Sequence, residues 1–203
     1  MSDLSQDFPP IIIKKLTGEE HFYNKTEQTE KTIGEFWQWF ASDLTNNVIR
    51  GALAEFIVAS ALNVADGVRE VWSPFDLLTK ENIKIEVKSA AYLQTWFQKA
   101  YSAISFDIGQ SRAYDSVTNQ SETEVKRQAD IYVFCLLHFK DKTNLNPMDL
   151  DQWEFYILST SVLNEKHLNQ SRIGLSSLLK LNPLKAKYEE IADCVKNLSG
   201  LKL

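Results

Sequence analysis

The chain has 203 residues, enough for one domain with a sizeable core. Hydrophobic residues make up 44% and charged residues 24%, which excludes a disordered chain, and the longest apolar run, Ile131 to Leu137, is too short to cross a bilayer. The net charge of -5 lacks the basic excess usual in nucleic-acid binders, yet metal-binding carboxylates add negative charge locally and a basic face can sit on an acidic chain.

Residues 1–31 read as a polar leader with one apolar patch, Ile11 to Ile13, after Pro9 and Pro10. It has no charged start, apolar middle and small-residue cleavage site, so the expected location is cytoplasmic. From Thr32 to Leu44 the apolar residues Ile33, Phe36, Trp37, Phe40 and Leu44 fall at helical spacing. Asn46 or Asn47 caps a second helix running to about Leu62, apolar nearly all round and therefore expected to be buried. Extended segments are expected at 70–72, 75–79 and 83–89, then a helix or loop at 92–101 and a weak strand at 103–108. Residues 109–123 are polar and turn-rich, and 124–128 read as a short helix. Ile131 to Leu137 has the continuous apolar run of a strand buried on both faces, and 153–158 is a further strand. Helix signals cover 173–181 and 184–198, broken at Pro183. The order predicts an α/β domain over 32–203, with a mixed sheet flanked by helices.

The two cysteines, Cys135 and Cys194, lie far apart without a CxxC partner, and the three histidines show no metal-ligand spacing. Chemistry points instead to 75–89. In I-K-I-E-V-K-S, Ile83, Ile85 and Val87 share one strand face and Lys84, Glu86 and Lys88 the other. With Lys80-Glu81-Asn82 as a three-residue loop, Phe75 faces Val87, Leu77 faces Ile85 and Thr79 faces Ile83, while Asp76 falls opposite Glu86. Two opposed carboxylates need a proton, open solvent or a cation, and oxygen ligands suit a hard divalent ion. Lys88 lies on the same face, in reach of anything the metal holds. Glu55 is the only charged residue between Arg50 and Asp66, within an apolar helix. Two roles are open to it: partner of a core cation, or further ligand to a metal or its water.

The runs "RGALAEF", "SPFDLL" and "IKIEVKSAAYLQTW" resemble the PD-(D/E)xK nuclease superfamily over about 47–137. The proline, Pro74, stands one position earlier than the pattern has it. The resemblance implies a restriction-endonuclease-like α-β-β-β-α-β core and Mg²⁺-dependent phosphodiester cleavage, with Mn²⁺ as substitute. Asp76, Glu86 and the Val87 carbonyl would hold the metal, joined by Glu55, and Lys88 would act on the nucleophile or transition state. DNA is the expected substrate, and a homodimer would suit cutting both strands. Gln94 and Gln98, spaced for one helical face, and the cations Lys99, Arg112, Lys126 and Arg127 are the expected nucleic-acid contacts. Two other readings share the pattern: a silent nuclease-fold protein binding nucleic acid or a protein, and an acidic enzyme acting on small phosphate esters.

Overall fold

The computed structural model describes residue 8 and residues 10–200; the first residues of the expected leader, 1–7 and 9, lie outside the described residues. Strands β1 (His21–Asn24) and β2 (Glu27–Thr32) form an antiparallel hairpin within the stretch read as leader. Helix α1 (Ile33–Ala41) follows, started by Thr32, whose hydroxyl accepts from the Glu35 N–H while Glu35 accepts from the Thr32 N–H. Gly34 lies so close to Gly18 that a Cβ there would meet the Gly18 carbonyl at 2.7 Å, which ties the helix to the segment before the hairpin. The apolar face of α1 stays open, with Trp39 82% exposed.

Helix α2 (Asn47–Ala61) is capped by Asn46, which accepts from the Val48 N–H at 3.0 Å. Arg50, Ala54, Ile57 and Val58 are buried at helical spacing. The expectation of burial all round is corrected, because Val48 and Phe56 face outward. Residues 68–76 are irregular rather than extended at 70–72. Strand β3 (Leu77–Leu78) pairs antiparallel with β4 (Lys84–Ala91), Leu77 opposite Ile85. That is the register read from the sequence, and the loop is the expected one. Asn82 takes a left-handed φ of 62°, tolerable for asparagine, and the Thr79 N–H donates to the Ile83 carbonyl at 3.0 Å.

After β4 the chain crosses over without a helix. Residues 92–101 are a loop, followed by β5 (Ser105–Asp107), β6 (Ser111–Asp115) and β7 (Gln120–Lys126). Residues 124–126, expected as helix, pair with β6 instead. The alternation Ser121, Thr123, Val125 against Glu122, Glu124, Lys126 has a strand's period of two, and a left-handed Asn119 closes the turn. Strand β8 (Ile131–Leu137) is buried at every residue, and β9 (Trp153–Ser159) lies beside it. Helix α3 (Thr160–His167), β10 (Arg172–Gly174), α4 (Leu175–Leu179), β11 (Leu184–Ala186) and α5 (Ile191–Ser199) complete the chain. The expected helix at 184–198 is therefore divided: Ala186 is buried as β11 joins the edge of β9, and only the last part is helical.

The central sheet has the order β11-β9-β8-β4-β3. Strands β4 and β8 are parallel, with Glu86 opposite Tyr132, and the other neighbours are antiparallel. This is a mixed α/β fold with helices on both faces of a mixed sheet. On one face Ile85, Val87, Ile131 and Val133 pack with Ala54, Ile57, Val58 and Val195 from α2 and α5. On the other, Tyr132, Phe134 and Leu136 pack with Phe106, Leu163, Ile173 and Leu178. Strand β8 supplies alternate residues to both, which explains its unbroken apolar sequence. No helix among the described residues is long and apolar enough to cross a membrane.

Arg127 closes the crossover from inside. It is 5% exposed, and its guanidinium donates to the carbonyls of Ile108, His167 and Gln170 and to Asn164 Oδ1. Removing it strands the buried Ile108 carbonyl and takes the donor from three part-buried acceptors, on Asn164, His167 and Gln170. Arg127→Ala is expected to lower the unfolding free energy by about 3 kcal/mol or more. Urea denaturation measures this, and a loss under about 1 kcal/mol would show that the network does not hold the crossover.

Candidate active site at the sheet edge

Pairing between β3 and β4 stops at Leu77, so the next edge groups of β4 face outward from the sheet. The Asp76 N–H still reaches the Ile85 carbonyl at 3.0 Å, and Asp76 Oδ2 accepts the Val87 N–H at 2.7 Å. The carboxylate thus caps the edge donor that a longer β3 would have paired. In an extended strand, one residue's N–H and C=O point the same way, so the Val87 carbonyl faces the same edge. Phe75 does not oppose Val87 as expected. The chain bends before Leu77, and Phe75 packs with the cluster on the far face, the Lys84 ammonium 5.5 Å from its ring centre.

Glu86 and Lys88 flank Val87 on the sheet face opposite α2, and Lys88 Nζ donates to Glu86 Oε1 at 2.5 Å. Both side chains are largely buried. Burial alone would lower the Lys88 pKa, but the charges of Glu86, Asp76 and Asp107 outweigh it, and the net direction is upward. Lys88 therefore stays an ammonium. Asp76 moves oppositely to an exposed acid: burial first, then the charge of Glu86, push its carboxyl up to about 6, against the favourable Val87 hydrogen bond. Burial also pushes up the phenol of Tyr132, the β8 neighbour of Glu86, so it remains protonated.

Glu55 approaches Asp76 from α2, near enough for its charge to be felt there. Its two oxygens are gripped by Arg69, through Nε and through Nη2 at 2.8 Å. Glu55 is thus ion-paired, with a half-exposed arginine rather than a core cation. Arg69 belongs to an irregular segment without periodicity, and no sequence pattern singles it out. Glu55, Arg69 and Asp76 line a cleft of about 460 Å³ on the α2 side of the sheet edge.

The expected nucleic-acid contacts separate. Arg127 is corrected to a structural residue, since burial and four acceptors occupy it. Gln94 and Gln98 are not on a helical face. Gln94 is 6% exposed and accepts from Arg50 at 3.3 Å, and Gln98 Oε1 accepts the Gln94 N–H at 2.7 Å, so both brace the loop after β4. Lys126 is exposed but held at 2.5 Å by Glu124. Lys99 and Arg112 are exposed.

The fit to a divalent cation can be judged from the donors. Among the described residues, no group of three or more His, Cys, Asp or Glu is placed to hold a metal. The edge offers two carboxylates, Asp76 and Glu86, and the Val87 carbonyl. That oxygen set suits Mg²⁺, which takes one or two carboxylates and keeps several waters. The raised Asp76 pKa marks a buried charge in need of a positive partner.

The same shift sets a pH dependence. A folded-state pKa of about 6 for Asp76 lies above the 3.8 of an unperturbed aspartate. The contribution to stability is then full below the unfolded pKa and is lost as pH rises through about 6. With a chelator present, Asp76→Asn should remove this decline, so melting temperatures of variant and parent should diverge between pH 4.5 and about 7. Parallel melting curves across that range would refute the buried-acid assignment.

No curated protein matches the chain. The family model described as bacteriophage T4 endonuclease IV matches residues 3–174, from within the N-terminal stretch through β4, the crossover and β8 to the end of β10. A nuclease acting on nucleic acid is what that match supports, and the chain belongs to the bacteriophage T4 endonuclease IV family.

Proposed function

We propose that this chain is a cytoplasmic, Mg²⁺-dependent DNA endonuclease of restriction, defence or repair type, with a PD-(D/E)xK site formed by Asp76, Glu86 and Lys88 in a nuclease domain spanning 32–203. The observation that carries this reading is the convergence at Val87: the Asp76 carboxylate on its N–H at 2.7 Å, with Glu86 and its 2.5 Å partner Lys88 on either side in sequence.

Asp76, Glu86 and the Val87 carbonyl would hold the cation, which when bound supplies a water of lowered pKa and neutralises developing negative charge. In the hydrolysis a water oxygen bonds to phosphorus as one P–O ester bond breaks; the attacking water gives a proton to solvent, and the departing sugar oxygen takes one from solvent to leave as a hydroxyl. The protein's own part is positioning and electrostatics. Lys88 is charged and held by Glu86, so it is suited to stabilise the extra negative charge on the phosphoryl oxygens rather than to take a proton. Tyr132, protonated behind Glu86, and the apolar strand β8 exclude water from the rear of the site.

The roles separate by mutation. Asp76→Ala should abolish Mn²⁺ binding in calorimetry and plasmid cleavage together. Lys88→Ala should retain Mn²⁺ but cleave about a hundredfold more slowly or worse. Normal cleavage by Lys88→Ala would remove the lysine from the mechanism, and an active Asp76→Ala would remove the site altogether.

A further inference from the structure

Apart from Asp76, the residues lining the cleft on the α2 side of the sheet edge have no part in the chemistry just described. Its volume of about 460 Å³ is in the range of small-molecule sites. Its apolar lining includes Ala52, Phe56, Ala59 and Val68, and Asp76 is among its polar lining residues. Two features are unusual for a crevice that only separates two elements. Phe56, on the outward side of α2, lines it while remaining 60% exposed, whereas Ile57 and Val58 next to it are buried. Arg69 lines it with a half-exposed guanidinium whose orientation is fixed by the two oxygens of Glu55.

We infer that this cleft is a one-nucleotide subsite of the substrate strand, in which Phe56 carries an unstacked base and Arg69 contacts a phosphate. The inference rests on the nuclease reading of Asp76, because that residue places the cleft beside the bond to be cut. An aromatic face accepts any base by stacking, and it does so best when the base has left its own stack. Arg69 spends Nε and Nη2 on Glu55, and Nη1 is the donor directed to a phosphate oxygen. Glu55 is then a positioning residue: it sets the guanidinium plane, and Arg69 in turn neutralises the Glu55 charge that a phosphate would otherwise meet. Lys15, tied to the Asp66 carbonyl at 3.1 Å, adds a second cation to the lining, which also includes the acidic Glu70. With Lys88 on the far face of β4, the substrate backbone would pass over the sheet edge between two cations, each aligned by its own glutamate.

The test uses the full chain in EDTA and a fluorescent ten-residue oligothymidylate, with a set of the same oligonucleotides carrying one abasic residue at each position. Phe56→Ala should weaken binding about tenfold with an unchanged salt slope, the scale of one lost base stack. Arg69→Gln should weaken binding and reduce the slope of log affinity against log salt by about one phosphate contact. Arg69→Lys should keep the slope, which guards against a loss due only to unfolding, and melting temperatures check each variant. One abasic position should weaken the parent as much as Phe56→Ala does, and that variant should show no further loss with it. Parent-like binding by Phe56→Ala and Arg69→Gln, or no binding by the parent, overturns the subsite. Lys88→Ala cleavage, run alongside, separates the two readings: if it cuts normally while Phe56→Ala and Arg69→Gln lose binding, the catalytic assignment fails and the subsite stands. If it is inactive while both variants bind like the parent, the subsite fails and the catalytic assignment stands.

Discussion

Pairing of β3 with β4 lasts for two residues, and the edge donor it leaves, the Val87 N–H, takes the carboxylate of Asp76. Much else at this end of the molecule depends on that substitution of a side chain for a strand. A longer β3 would cover Val87 and seal the edge. A shorter one would leave its N–H to water and release Asp76. The left-handed Asn82 fixes the loop length, the loop fixes Leu77 against Ile85, and that register sets where the pairing ends.

Charge is distributed around that edge in matched and unmatched parts. Glu86 is matched by Lys88, and Glu55 by Arg69. Asp76, half-buried and close to both glutamates, makes no ion pair among the described residues, and although the charge of Lys88 reaches it, burial and Glu86 leave its pKa raised. A half-buried carboxylate beside two others costs stability, held only by its Val87 hydrogen bond and by more distant cations. Its presence fits a site that concentrates negative potential for a cation while Lys88 and Arg69 keep a phosphate from being repelled.

The parts legible in the sequence are those whose code is local. The alternation of Ile83, Ile85 and Val87 with a three-residue loop was enough for the β3–β4 register, and seven consecutive apolar residues for the doubly buried β8. Helix α2 was legible as a helix, but a segment apolar all round does not say which face will be covered, so the exposure of Phe56 was hidden. Arg127 and Gln94 were indistinguishable from surface residues, because their partners come from remote segments: Ile108, Asn164 and Gln170 for the first, Arg50 for the second. Arg69 was missed for a related reason. It sits in a segment without periodicity, and only the folded chain brings it to Glu55. At 124–126 a charge-rich run was read as helix, whereas the period of two was the stronger signal.

The parallel pairing of β4 with β8 has a consequence for how the chain acquires its activity. Ile85 pairs with Ile131 and Ala91 with Leu137, with the whole crossover between them, so the strand bearing Glu86 and Lys88 has no inner neighbour until Leu137 has been made. Closing so long a loop before any contact rewards it is slow, and the local β3–β4 hairpin alone is too small to persist in water. During vectorial synthesis the acidic residues and the lysine therefore emerge well before they can be held together. A nascent chain interrupted before β8 would carry every side chain of the proposed site and no working arrangement of them, so that on this proposal cutting activity is confined to molecules translated past that strand.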